Sequence, residues 1–211
     1  MQWDKKEAGA CMLIEASKQH LRYTREIPIS TTQKLLRFAT LLSLPIFITT
    51  QNAARLGPTC PELNLPPSPT PQGSGDEKEG KGVRVVEHVD KTAFSMWIPE
   101  ISRHFEAEEK GEIVILGIES HICVTQTALD ALGAGHKVYI IADGVSSCNR
   151  EEIPVALARL RGEGAVVTTS ESFMYECMGD AAIGEFKEVA RLVKEFSGVT
   201  KESVGTLLSK I

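Results

Sequence analysis

No stretch of the 211-residue sequence approaches the ~20 consecutive apolar residues that a bilayer-spanning helix needs, so no membrane segment is expected. Basic residues are not in excess. Twenty-three Lys and Arg stand against 28 Asp and Glu, for a net charge of −5 and a pI near 5.6. That balance lacks the broad positive field with which proteins hold nucleic acid, so a nucleic-acid partner is not expected. Cysteine is sparse. Cys11, Cys60, Cys123, Cys148 and Cys177 are odd in number, widely spaced and contain no Cys-x-x-Cys pair. This excludes metal-finger spacing and argues for free thiols in a reducing compartment rather than a disulfide framework. The first seven residues hold no hydrophobic signal core and include Asp4 and Glu7. The expected location is cytoplasmic, with mitochondrial import by another signal left open, and not secretion. Glycine is missing where a phosphate-binding loop would need it. Glu15-Ala16-Ser17-Lys18, after the first apolar run, has no G-x-G-x-x-G pattern, and no cofactor is expected.

What remains is ordinary globular composition, 42% hydrophobic and 24% charged. One α/β domain over residues 1–211 is expected. Short β-branched runs alternate with longer amphipathic ones. Cys11–Ile14, Pro45–Thr49, Arg84–His88, Ile113–Leu116, Lys137–Ile141 and Ala165–Thr168 read as strands. Ser30-Thr31-Thr32-Gln33 has the form of a capping box. It predicts the start of a helix whose apolar face is Leu35, Leu36, Phe38, Ala39, Leu41 and Leu42. Pro99 opens a helix over about 98–107, and Pro154 one over about 153–162. Helices over 171–178 and 185–196 follow. Strands alternating with helices imply a parallel sheet covered on both faces. Residues 64–82 hold four prolines, four glycines and no large apolar side chain after Leu65. Such a segment cannot offset the entropy of ordering, and a mobile insertion within the domain is expected. The tail after Gly198 offers Leu207, Leu208 and Ile211, and is expected to pack loosely or on a second subunit.

The chemistry concentrates in residues 117–133. Gly117 is expected to end the fourth strand. Ser120 is expected to cap the next helix, which puts Cys123 at the third helical position. Gly133 and Gly135 are stop signals. A cysteine there lies at the positive end of the helix dipole, where the thiolate is favoured. It also lies past the carboxyl end of a parallel strand, where open α/β sheets bind ligands. Packing is the commonest fate of a free cysteine, and the other four are read that way.

Several segments, in one order along the chain, carry a family resemblance. They are Lys91-Thr92-Ala93-Phe94-Ser95-Met96, Gly117-Ile118-Glu119 with Cys123 and Thr127, and Asp143-Gly144-Val145-Ser146-Ser147. Residues 156–161, 168–171, 179–181 and 186–188 continue the series. Together they resemble the isochorismatase-like cysteine hydrolases, in particular the eukaryotic isochorismatase-domain-containing branch. The resemblance covers most of residues 10–195. It implies a doubly wound open sheet of about six parallel strands in the order 3-2-1-4-5-6. It implies Cys123 as nucleophile and Lys91 as the cation that stabilises thiolate and developing charge. It also implies an aspartate at the end of the first strand that moves the proton. Matching without a gap puts Ala16 at that aspartate position. Glu15, one residue earlier, is a candidate substitute, which alternation along a strand turns to the opposite face. Ile118, Glu119 and Cys123 are the implied oxyanion and substrate contacts, around a cis peptide at Ile118–Glu119. Metal-bearing relatives place Asp-x-His-x-x-His after the second strand. Thr50-Gln51-Asn52-Ala53-Ala54 has neither His nor carboxylate, so no metal is expected. His121 is read as a capping or surface residue.

The expected function is hydrolysis of a small amide, ester or related carbonyl through Cys123, slowed by the alanine at position 16. The alternative is a non-catalytic binding or scaffold protein that keeps the fold and the pocket. A weaker third reading is RNA association. A homo-oligomer is expected in each case.

Overall fold

The interior runs rich in Ile, Val and Leu form strands buried on both faces, as parallel strands under helices must be, while the two edge strands are only partly buried. The computed structural model describes residues 11–15, 26–65, 84–106 and 110–207. The strands are β1 (Cys11–Glu15), β2 (Ile46–Gln51), β3 (Val85–Lys91), β4 (Glu112–Ile118), β5 (Lys137–Ser146) and β6 (Val166–Thr168). All their pairings are parallel, in the order β3-β2-β1-β4-β5-β6. The two apolar runs Ile113–Leu116 and Val138–Ile141 occupy its middle and are fully buried.

The helices are α1 (Glu26–Leu42), α2 (Ala53–Leu56), α3 (Pro99–Ser102), α4 (Thr125–Gly133), α5 (Glu152–Gly162), α6 (Ser170–Met178) and α7 (Phe186–Leu207). They divide between the two faces. Leu35, Phe38, Phe173 and Val189 from α1, α6 and α7 close over Ile14, Ile48 and Leu116. Ile101, Ala128 and Leu157 from α3, α4 and α5 close over Phe47, Ile115 and Ile140 on the other face.

Several element boundaries differ from the sequence reading, three of them away from the cysteine turn. Ser30-Thr31-Thr32-Gln33 does not start α1 but lies inside it, with Thr31 and Thr32 buried. Pro28 is the third residue of the helix, where its missing N–H would have no intrahelical partner anyway. The helix opened by Pro99 stops at Ser102 and tightens into a 3₁₀ turn over Arg103–Phe105. That turn sets Phe105 against Trp97 and Phe47, each 5.2 Å away, and against His136 at 5.6 Å. The chain after Gly198 is not a loose tail: α7 continues to Leu207. Tertiary contacts hold it there. Thr200 and Ser203 are buried, and the buried Lys34 Nζ donates to Thr200 Oγ1 at 2.8 Å. One turn earlier, Arg37 grips both carboxylate oxygens of Glu195 and lies 5.5 Å over the Phe196 ring. Leu208 and Ile211 lie outside the described residues, as does the expected insertion beyond Leu65. Leu65 itself packs against the core.

Candidate functional site

Gly117 does not end β4. It sits inside the strand at φ 109°, a conformation that favours glycine, and the strand continues to Ile118. The pairing with β5 jumps here. Ile115 lies opposite Ile140, and Gly117 opposite Val145, so β5 advances five residues while β4 advances two. The surplus contains Asp143, whose buried carboxylate accepts from Ser170 N at 2.7 Å and from the Ser170 hydroxyl. That contact ties β5 to the first turn of α6.

The Ile118–Glu119 peptide is cis. Beyond it the backbone forms a π-helical turn over Ser120–Val124 before α4 begins. The extended residue ahead of the turn is Glu119, and its carbonyl accepts from Ile122 N and Val124 N, both at 3.1 Å. Ser120 is therefore inside the turn and does not cap it. Its hydroxyl donates to Ser146 O at 2.8 Å, and its N–H donates to Ser147 Oγ at 3.1 Å. Cys123 becomes the fourth residue of the turn rather than the third. Threonine hydroxyls take carbonyls in this wide turn: Thr125 Oγ1 donates to Ser120 O at 2.6 Å, and Thr127 Oγ1 to Cys123 O at 2.7 Å. Cys123 is 6% exposed.

Lys91 is the last residue of β3 and pairs in register with Gln51 of β2. Although 5% exposed, its ammonium finds three neutral acceptors: Gln51 Oε1 at 2.7 Å, Ala93 O at 3.0 Å and Phe94 O at 3.1 Å. Gln51 Nε2 donates to Thr92 O at 2.8 Å, so one side chain fixes both the lysine and its loop. The sequence reading weighed Gln51 only as a missing metal ligand. Its useful signal was position, at the end of the strand beside the lysine strand.

The lysine loop and the cysteine turn meet at one atom. Thr127 Oγ1 donates to Cys123 O and accepts from Met96 N at 2.9 Å, and Thr127 is fully buried. Glu15 ends β1, with its backbone opposite Thr49 and Gly117, and Ala16 lies outside the described residues. Glu119 is buried. One of its carboxylate oxygens accepts from Cys148 N at 2.6 Å, while the other has no partner among the described residues. Partial desolvation and the neighbouring Glu119 carboxylate push the exposed Cys148 thiol above its usual range. His121 is not a free surface residue: its Nδ1 lies 2.9 Å from Ser147 Oγ. Cys60 is buried, with Sγ donating to Glu62 Oε2 at 2.9 Å. Burial raises the Cys177 thiol well above the ordinary range, which keeps it inert. Among the described residues, no group of three or more His, Cys, Asp or Glu is placed to hold a metal ion. No helix among them is long and apolar enough to cross a membrane.

The Isochorismatase domain model matches residues 12–172, a span that runs from β1 through Lys91 and Cys123 to α6. The chain belongs to the isochorismatase family. This isochorismatase-family chain is 35% identical over 192 residues to isochorismatase domain-containing protein 2 of Bos taurus, covering 89% of this chain and 84% of that one. It is 36% identical over 169 residues to a secreted isochorismatase effector of Phytophthora sojae, covering 79% and 74%. Among solved structures it resembles the MAR1 ribonuclease of Caenorhabditis elegans, with a TM-score of 0.74, 29% identity and 88% of each chain covered. At this level the protein is an isochorismatase-family, hydrolase-like α/β protein with parallel strands.

Proposed function

We propose that this protein hydrolyses a small amide or ester, with Cys123 as nucleophile, Lys91 as the stabilising cation and Glu15 as the proton carrier. The observation that carries the proposal is the joint at Thr127, where the Lys91 loop and the Cys123 turn share one hydroxyl. In the reaction, the Cys123 thiolate attacks the carbonyl carbon and the carbonyl oxygen becomes an oxyanion. Backbone N–H groups around Ile118, Glu119 and Cys123 hold that oxyanion. The carboxylic acid of Glu15 protonates the departing amine or alcohol, which leaves a thioester on Cys123. Glu15, now a carboxylate, takes a proton from water as the water attacks the thioester. Collapse releases the acid and the cysteine.

Backbone register supports Glu15. The Glu15–Thr49 pair and the Gln51–Lys91 pair are two residues apart along β2. The pleat repeats every two residues, so both rungs have the same parity. The alternation that counted against Glu15 in the sequence therefore favours it once the register is included.

The test is to incubate the protein with p-nitrophenyl esters and anilides and map acyl adducts by mass spectrometry. Acylation on Cys123, and turnover lost in Cys123→Ala, is the expected result. Tight binding with no acylation would instead favour the scaffold reading, which draws on the missing aspartate at Ala16. RNA association draws on the ribonuclease name of the worm neighbour, and the net charge of −5 opposes it. An intracellular location, cytoplasmic or mitochondrial, is proposed because the five cysteines are odd in number, widely spaced and without a Cys-x-x-Cys pair, which suits a reducing compartment better than a disulfide framework. A homo-oligomer is proposed because the family resemblance implies assembly through the helices around the sheet.

A further inference from the structure

We infer that Thr127 is a positioning residue: its hydroxyl sets the placement of the Lys91 ammonium relative to the Cys123 sulfur by pinning the lysine loop to the cysteine turn. This rests on the reading of Lys91 and Cys123 as partners.

The strand alone does not position the ammonium. Two of the Lys91 acceptors, Ala93 O and Phe94 O, belong to the loop that follows it. Residues 92–94 of that loop are exposed. The loop is anchored at its start by Gln51 and at its end by Met96 N, which donates to Thr127 Oγ1. Met96 and Thr127 are both buried, so water cannot easily replace that bond. The hydroxyl has one proton, and Cys123 O takes it. Its acceptor capacity receives Met96 N–H. Serine could make both bonds. Valine and alanine could make neither, and the lysine loop and the cysteine turn would then move independently.

The readout is the rate of Cys123 alkylation by iodoacetamide, mapped by mass spectrometry, from about pH 5.5 to about pH 9.5. Wild type is compared with Lys91→Met, Thr127→Val, Thr127→Ala and Thr127→Ser. In Thr127→Val and Thr127→Ala, the labelling midpoint is expected to move up by about one pH unit. Labelling on the low-pH limb, below both midpoints, then slows about tenfold, while the plateau rate at high pH is kept. Thr127→Ser should titrate like wild type, and Lys91→Met should move the midpoint at least as far as Thr127→Val. A residue that only supports the fold would lower stability without moving the midpoint. Should Thr127→Val fail to fold, Thr127→Ala, which adds no bulk, gives the same readout. If Lys91→Met raises the midpoint but both Thr127 variants leave it in place, the inference is overturned and the lysine–cysteine reading stands. If Lys91→Met also leaves it in place, both are overturned.

Discussion

A buried ammonium needs acceptors, and Lys91 takes them from a neighbouring strand and from its own loop. Replacing Gln51 by leucine keeps the size but removes one of those acceptors and the anchor on Thr92 O. Turnover in Gln51→Leu is expected to fall about tenfold with the fold retained, as seen by steady-state kinetics beside circular dichroism. The proposed proton carrier, Glu15, gives a sharper prediction. Glu15→Gln is expected to lower Cys123-dependent turnover by ~10²–10⁴-fold, and Ala16→Asp to leave it unimproved. The opposite pattern in the same assay would return the role to position 16. At this scale the residue types at Cys123 and Lys91 were readable, because thiol and amine chemistry, helix-start placement and motif spacing are written locally. The contacts of Gln51 and the Met96 contact of Thr127 were not. Their partners lie 31 to 41 positions away, and sequence spacing does not report which hydroxyl meets which amide.

Helix starts and stops depend on more than caps. The capping box at Ser30 was overruled because Thr31 and Thr32 are buried by packing rather than left at an exposed end. Gly198 likewise fails to stop α7, because residues beyond it are held against the domain. Its cost is still present: glycine in a helix interior has more freedom to lose than alanine. Gly198 is exposed, and a Cβ built there meets nothing within 4 Å. Gly198→Ala is therefore expected to stabilise the protein by about 0.5–1 kcal/mol, raising Tm by about 1–4 °C in a calorimetric scan. An unchanged or lower Tm would mean that α7 is not helical at that position in solution. The π-helical turn at Cys123 is the other element that local signals could not report. A serine in front of an apolar run reads as a cap. Here the bulge in β5 brings Ser146 and Ser147 within reach of Ser120, and its polar groups bond there instead.

At the scale of the whole molecule, two histidines make stability depend on pH. Burial holds His88 below the ordinary imidazole range, with Thr59 Oγ1 2.8 Å from its Nε2. Burial also holds His136 low, helped by the Lys110 charge. Gly111 N–H donates to His136 Nδ1 at 3.2 Å, so the neutral ring carries its proton on Nε2, among Trp97 and Phe105. The unfolded chain takes up protons near the usual histidine value of about 6.5, and the folded chain does so only at lower pH. Stability is thus fully present above that value and declines as pH falls through the window beneath it. Urea midpoints measured from pH 7.5 down to about 5.5 should show this decline, and the pair His88→Gln with His136→Gln should flatten it. A wild-type profile that is level over the range would contradict the burial of both rings. Assembly is tested by light scattering, where a mass that is a multiple of 23.0 kDa is expected and a 23.0 kDa particle at micromolar concentration would refute the oligomer.

The amino-acid sequence by itself determined the alternation of strands and helices, the two-faced burial of the central runs and the positions of the cysteine and the lysine. Each depends on which side chains avoid water at a short repeat, and a repeat is readable along one chain. The tertiary structure decided where α1 begins and α7 ends. It decided that the cysteine turn is a wide one, that Gln51 bonds Lys91, that Thr127 bridges Met96 N and Cys123 O, and that the rung of Glu15 shares the parity of the rung of Lys91. Those outcomes depend on strand register and on buried hydrogen bonds between distant segments. Such bonds form only after packing excludes the water that would otherwise compete for the same groups.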